Sequence, residues 1–245
     1  IGFPRSGTTL LDAILRSHPS VEVIEEKPII DEFIIQLHNK TKSNFDTLKT
    51  VDENLLIEMK NVYFENRKKF VKENNNKIYI DKMPLNIIYA AEIVRIFPNA
   101  KFILAIRHPC DCVLSCFMQN FVLNDSMANF LNLNDSAKFY DIVMSLWDKY
   151  LNIFSINYHT VKYEKVVSNF DDSIKELLNF LNLPWSDNVN EFYKTAKNRG
   201  IISTPSYNQI NQPIYSKSIG RWKKYEKQLS EILPILKPWI KKYGY

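Results

Sequence analysis

Ile1-Gly2-Phe3-Pro4-Arg5-Ser6-Gly7-Thr8-Thr9-Leu10-Leu11 is the stretch on which the reading of this chain turns. Ile1 to Phe3 has the character of the end of a buried strand and Pro4 to Gly7 that of a tight turn. From Thr8 onward Leu10, Leu11, Ile14 and Leu15 recur on one face of a helix. A strand, a tight turn and a helix start aim several backbone N–H groups and the positive end of a helix dipole at one point. That makes an anion site, to which Thr8 and Thr9 add hydroxyl donors. Phosphate or sulfate is the natural guest. The turn is not a Walker A loop, because Thr8-Thr9 stands where Lys-Ser/Thr would follow the glycine. Arg5, two residues before Gly7, supplies the positive charge instead, in a planar fork suited to oxyanions.

The 245 residues are 45% hydrophobic and 24% charged, enough to bury a full core in one α/β domain spanning 1–245. A net charge of +5 suits an anionic ligand but is too small an excess to argue for nucleic acid, and no nucleic-acid partner is expected. Cys110, Cys112 and Cys116 fall in one short predicted helix at spacings that point in different directions. Neither a disulfide framework nor a zinc site follows, and buried thiols are expected. No apolar run reaches transmembrane length and no signal peptide is recognised. Because the chain opens inside a strand, further residues are expected upstream.

Val21 to Ile24 reads as a short extended piece that ends on Glu25-Glu26, two carboxylates at a strand mouth that are either solvated or placed to act as a base. Pro28 starts a helix carrying Ile29, Ile30, Phe33, Ile34 and Leu37. Residues 40–50 are polar and loop-like, and 52–73 form a charged helix. Lys77 to Ile80 is a second buried strand closed by Asp81-Lys82-Met83-Pro84, at the edge where open α/β sheets bind ligands. A helix over Leu85–Phe97 follows. Lys101 to Ile106 is the most strand-like run, and it ends on Arg107-His108-Pro109. The helix beyond it carries Ser115, far enough on for Arg107 and Ser115 to bracket one anion. After broken structure at 118–134 come a helix over about 136–154, a strand over Asn157–Tyr163 and helices near 169–182 and 187–196. Residues 197–220 form a long irregular stretch of the kind that carries function. Residues 226–245 form an amphipathic helix interrupted by Pro234 and Pro238. The fold class is therefore α/β, a P-loop-like three-layer arrangement with a central parallel sheet flanked by helices.

Three signals stand in order on these elements: Pro4 to Leu10, Arg107 with Ser115, and Gln209-x-x-Gln-Pro-Ile-Tyr followed by Ser218-x-Gly-Arg-Trp. Together they resemble the sulfotransferases that use 3′-phosphoadenosine 5′-phosphosulfate (PAPS). The likeness is strongest to the bacterial branch associated with tetratricopeptide repeats and to the tyrosylprotein sulfotransferases, and it covers nearly the whole chain. The resemblance implies that Arg5, Ser6, Gly7, Thr8 and Thr9 hold the 5′-phosphosulfate. Arg107 and Ser115 would hold the 3′-phosphate, with Tyr163 near the nucleotide and Arg221 reaching the 3′-phosphate from the final loop. It also implies Glu26 as general base, Lys82 as the catalytic lysine and Ser206 as a hydroxyl beside the leaving phosphate. His18 and His108, each followed by proline, are read as structural. A carboxylate in Glu26's role contributes about 10²–10⁴-fold, and donors aimed at the departing oxygen stabilise the charge that develops there. No metal is required.

The resemblance further implies a hydroxyl-bearing acceptor (tyrosine, sugar or small molecule) held by 27–50 and 118–135, upstream tetratricopeptide repeats and a homodimer. A cytoplasmic location is expected, with a Golgi-lumen-like one left open. Two rivals remain at this stage. One is a P-loop kinase or NTPase, with Asp81 as a magnesium ligand; the other is a nucleotide-binding module without transfer activity.

Overall fold

The computed structural model describes residues 1–42, 51–198, 210–214 and 216–245. Among them, four parallel strands pair two by two. Strand β1 (Val21–Glu25) lies beside β2 (Ile78–Lys82) with Val21 opposite Ile78 and Glu25 opposite Lys82. Strand β3 (Lys101–Ile106) lies beside β4 (Asn157–Lys162) with Lys101 opposite Asn157 and Ile106 opposite Lys162. The opening residues join the pairs. The Ile1 nitrogen donates to the Ile103 carbonyl at 3.0 Å and Ala105 N–H to the Ile1 carbonyl at 2.9 Å. On the other side Gly2 N–H donates to Pro84 O, just past β2, at 3.0 Å. The order across the sheet is therefore β1, β2, residues 1–2, β3, β4. Gly2 is needed at this crossing, since a Cβ there would stand 2.5 Å from the Ala105 carbonyl oxygen.

Helices cover both faces. They are α1 (Thr8–Ser17), α2 (Ile29–Thr41), α3 (Glu53–Lys68), α4 (Ala90–Ile96), α5 (Pro109–Phe117), α6 (Leu133–Ile153), α7 (Tyr163–Ser168), α8 (Phe170–Leu181), α9 (Phe192–Asn198), α10 (Glu226–Leu229) and α11 (Leu233–Lys242). Alternation along β3 decides which helix meets which face. Phe102, Leu104 and Ile106 pack with Val113, Tyr140, Trp147 and Trp239 of α5, α6 and α11. Ala105 turns the other way, toward Ile14, Leu177 and Phe192 of α1, α8 and α9. Each such side chain taken fully out of water contributes about 1.5–3 kcal/mol before chain entropy is charged against it. A third apolar cluster, with Phe33, Leu37, Met59 and Ile96, joins α2 to α3 and α4. Cys110, Cys112 and Cys116 are buried and unbridged, as their spacing implies. No helix among the described residues is long and apolar enough to cross a membrane.

The elements follow the sequence pattern, with departures: the helix expected near 187–196 is a 3₁₀ turn (Asp187–Glu191) followed by α9, and two others have local causes. The helix expected over 85–97 is a 3₁₀ turn (Pro84–Tyr89) followed by α4. There the Ile88 carbonyl accepts from the Tyr150 hydroxyl at 2.7 Å rather than serving a regular helical ladder. The final helix is split into α10 and α11, with a proline in the first turn of α11 making the new start and Pro238 tolerated inside it. The 118–134 stretch contains a short 3₁₀ turn (Met127–Leu131), which fits broken helix. Ser206 and Gln209 lie outside the described residues, as does the polar stretch 43–50.

Candidate active site

The opening turn is built by two residues in the left-handed region, Arg5 (φ 68°) and Gly7 (φ 102°). Ser6 N–H closes the turn on the Phe3 carbonyl at 3.1 Å, and the Gly7 carbonyl accepts from Leu11 N–H of α1 at 3.1 Å. Alternating backbone handedness of this kind makes a concave nest of N–H groups at a helix N-terminus. Tyr163, the first residue of α7, backs the turn so closely that a Cβ on Gly7 would lie 2.9 Å from its Cδ2. Ser6 and Thr8 are buried, and the Ser6 hydroxyl has no hydrogen-bond partner. Thr9 is half-buried and borders a small cavity with Asp12, Arg16 and Glu25.

The end of β3 meets this turn. Arg107 Nη1 donates to the Arg5 carbonyl at 3.3 Å, while Arg5 Nε donates to Ser115 Oγ of α5 at 3.0 Å. The Arg107 guanidinium also lies 5.0 Å from the centre of the Tyr163 ring, and its Nε is buried without a partner. Arg5, Arg107, Ser115 and Tyr163 thus form one group on one edge of the sheet.

A second layer covers Arg107. Its Nη2 donates to the Ser218 carbonyl, and Asp111, in the first turn of α5, accepts from Gly220 N–H at 2.8 Å and Trp222 N–H at 2.9 Å. Arg221 sits between those two anchored residues with an exposed side chain. Trp222 stacks on His108 with ring centres 4.8 Å apart. Glu164 completes the layer, accepting from His108 N–H at 2.9 Å and from the Tyr245 hydroxyl at 2.7 Å.

The carboxylates at the β1 end face Lys82 at the β2 end. Lys82 Nζ lies 2.6 Å from Glu26 Oε1 and 3.1 Å from Glu25 Oε1, and its side chain is only 6% exposed. On the α1 side Asp12 pairs with Arg16 at 2.8 Å. Burial raises the Asp12 carboxyl above the usual range, with Arg16 acting against the shift and Glu25 adding to it. Asp81, one residue before Lys82, occupies the opposite face of β2. It lines a slot of about 710 Å³ with Ile1, Tyr63 and Arg67, where burial pushes its carboxyl up to about 7. That face is not the one on which Thr9 and Glu25 meet.

The structure brings together the expected residues Arg5, Ser6, Gly7, Thr8, Thr9, Arg107, Ser115 and Tyr163, and separately Glu26 with Lys82. Arg221 is near by backbone only. His18 is structural, its Nδ1 accepting from Ser20 N–H and its Nε2 lying 3.0 Å from the Pro184 carbonyl. Three participants escaped sequence reasoning. Asp111 gave the faint signal of a carboxylate in the first turn after a strand-end arginine. Glu164 and the pairing of Glu25 with Lys82 gave none, since each depends on a partner far away in the chain.

Comparison with known proteins places these features in context. A family model described as "Sulfotransferase family" matches residues 1–187. An uncharacterised protein of Aquifex aeolicus is 31% identical over 99% of this chain, which spans 32% of that protein's length. Protein-tyrosine sulfotransferase 1 of Danio rerio is 26% identical over 100% of this chain, which spans 70% of it. Among solved structures, the sulfotransferase domain of the Synechococcus PCC 7002 olefin synthase superposes with a TM-score of 0.64 at 16% identity, covering 100% of this chain and 94% of that one. A mouse sulfotransferase solved with PAP gives a TM-score of 0.54 at 16% identity, covering 99% and 86%. These likenesses show the P-loop-like fold.

Proposed function

Because the chain belongs to the sulfotransferase family, we propose that it moves a sulfuryl group from PAPS to an acceptor hydroxyl by in-line transfer. The observation that supports this most is the Arg107 contact to the Arg5 carbonyl at 3.3 Å, which puts two anion-binding groups on one edge of the sheet. A single nucleotide with charged groups at its 5′ and 3′ ends can then engage both. The buried, unpartnered Ser6 hydroxyl and Arg107 Nε fit an anionic occupant.

In this reading the bound nucleotide supplies an activated sulfuryl group and a stable leaving phosphate. Arg5, Ser6, Gly7, Thr8 and Thr9 hold its 5′ end. Arg107 and Ser115 hold the 3′-phosphate, with Tyr163 packed beside them and Arg221 approaching from the closing segment. Glu26 takes the acceptor's proton as the new oxygen–sulfur bond forms. The electron pair of the breaking bond goes to the bridging phosphate oxygen, where Lys82 and the turn's N–H groups donate. Ser206 is assigned as a further donor there. The names of the tyrosine-directed relatives make a peptide tyrosine the first acceptor to try, before sugars and small hydroxyl compounds.

The test uses the full chain with sulfate-labelled PAPS and a panel of tyrosine peptides, sugars and phenols. Label is expected to reach an acceptor, and 3′,5′-adenosine bisphosphate should bind without magnesium while ATP has no effect. Glu26→Gln should lower transfer by about 100-fold or more while nucleotide affinity is retained. Tight nucleotide binding with no transfer to any acceptor would leave a binding module. Failure to bind the bisphosphate would end the nucleotide assignment altogether.

A further inference from the structure

Consecutive side chains at the end of a regular strand point to opposite faces, so Glu25 and Glu26 ought to diverge. They converge instead. Glu26 has φ 48°, and its N–H donates to the Lys82 carbonyl at 2.8 Å. Glu25 already faces Lys82 by register, and this left-handed step swings Glu26 onto the same ammonium, Glu25 at 3.1 Å and Glu26 at 2.6 Å. A non-glycine residue held in that conformation costs free energy that its surroundings must offset, and such residues gather where function demands the geometry.

The two partners are not equivalent. The Glu25 side chain is 5% exposed and that of Glu26 is 35% exposed, so only Glu26 opens toward an incoming acceptor. We propose that Glu25 is a positioning residue, the permanent counter-ion of Lys82, and that it sets the strength of Glu26 as a base. This rests on the role given to Glu26 above. When Glu26 takes the acceptor's proton it loses its charge. Were it the only partner, the buried ammonium would have no counter-ion until charge built up on the departing oxygen, which would oppose the early part of the transfer. With Glu25 in place, Lys82 keeps a counter-ion before and after the proton moves. An ammonium shared between two carboxylates also holds each less tightly than it would hold one alone. Glu25 is fixed for this by its register opposite Lys82 on β2. The charged groups facing it among the described residues include Lys82 of β2, the neighbouring Glu26, and Asp12 and Arg16 of α1.

The experiment follows the Glu26 carboxyl by ¹³C NMR across pH in the unsubstituted chain and in Glu25→Gln. Glu25→Gln gives Lys82 wholly to Glu26 and should lower the Glu26 midpoint by about one pH unit or more. The acid limb of the transfer rate should move the same way, with turnover down roughly tenfold and affinity for 3′,5′-adenosine bisphosphate unchanged. Glu25→Asp, which withdraws the charge by one methylene, should give a smaller shift in the same direction and provides the reading if the glutamine variant does not fold. An unchanged Glu26 midpoint in these variants overturns the proposal, because a packing role alone would not move it. The titration needs neither acceptor nor nucleotide. Absence of transfer by the unsubstituted protein would therefore count against sulfuryl transfer and leave the counter-ion result to be read separately.

Discussion

The two ends of the site are held together by different forces. At the end proposed to bind the nucleotide, the turn at 4–9, Tyr163 and the Arg5–Ser115–Arg107 group are locked by steric fit and by hydrogen bonds, one between side chains and one to a backbone carbonyl. At the end proposed to transfer the proton, three charged side chains from strand ends 57 residues apart are held by mutual attraction in a largely dry setting. Sterically built sites are rigid and fail when a methyl group intrudes. Charge-built sites tolerate small changes of shape and fail when one partner is removed. The two ends should therefore separate cleanly under mutation.

The largest effect is expected from Lys82→Met, which keeps much of the side chain's volume and removes its charge. Two carboxylates then lose a shared ammonium whose own side chain is 6% exposed. Breaking a buried charge cluster from one side costs about 3–5 kcal/mol, so the urea midpoint should fall far. If Lys82 has the role proposed for it as donor to the departing oxygen, transfer should drop by about 10²–10³-fold. Affinity for 3′,5′-adenosine bisphosphate, measured calorimetrically on protein still folded at low temperature, should be retained. A loss of nucleotide binding equal to the loss of transfer would show that the two ends are one unit.

The same contrast explains what could be read in advance. The nucleotide end is legible because its parts are contiguous: a strand, a turn with glycine at a position requiring positive φ, and a helix start. Arg107 is legible because it terminates the most apolar strand of the chain. The residues alone mark Glu25-Glu26 as solvated or a base and put Lys82 at a ligand-binding strand edge, and only the family resemblance gives Glu26 and Lys82 specific roles, since a pair of glutamates or a strand-end lysine carries little information alone. That Glu25 and Glu26 converge on one ammonium is not legible, because the strand period sends neighbouring side chains to opposite faces and a left-handed φ at Glu26 overrides it. Asp111 was missed for a related reason: its partners are backbone N–H groups about 110 residues further on, which leave no side-chain pattern to read.

Gly7→Ala tests the steric end and should have an intermediate effect. The substitution meets two penalties, a φ of 102° and the Tyr163 ring 2.9 Å from the new methyl. Together these cost about 1–3 kcal/mol, and a shift of the turn should weaken bisphosphate binding by roughly tenfold. The Glu26 titration should stay where it is. Adding Tyr163→Ala removes the ring but not the φ strain, so the double variant should recover part of the stability. Recovery of none would mean that backbone strain alone accounts for the cost, and the description of this end as sterically locked would need revision.

The smallest expected effect concerns the layer over Arg107, where packing and charge meet in one residue. His108 lies between Trp222 and Tyr245, with its Nδ1 covered and without a partner. Burial lowers its pKa from the ordinary 6.5, and Asp111 and Glu164 only partly oppose that. A histidine that resists protonation when folded is titrated more easily when unfolded. Its contribution is therefore intact above pH 6.5 and is lost as pH falls from there toward the folded value. The urea midpoint should decline over that window, and His108→Gln should flatten the decline while leaving the midpoint at pH 8 nearly unchanged. Tryptophan fluorescence should report loosening of the Gly220–Trp222 segment over the same window in the unsubstituted chain. An identical decline in His108→Gln would rule out His108 as its source. Asp12, Asp81 and Glu92 could not produce it, because a buried carboxyl whose pKa is raised when folded contributes most at low pH and so drives stability the other way.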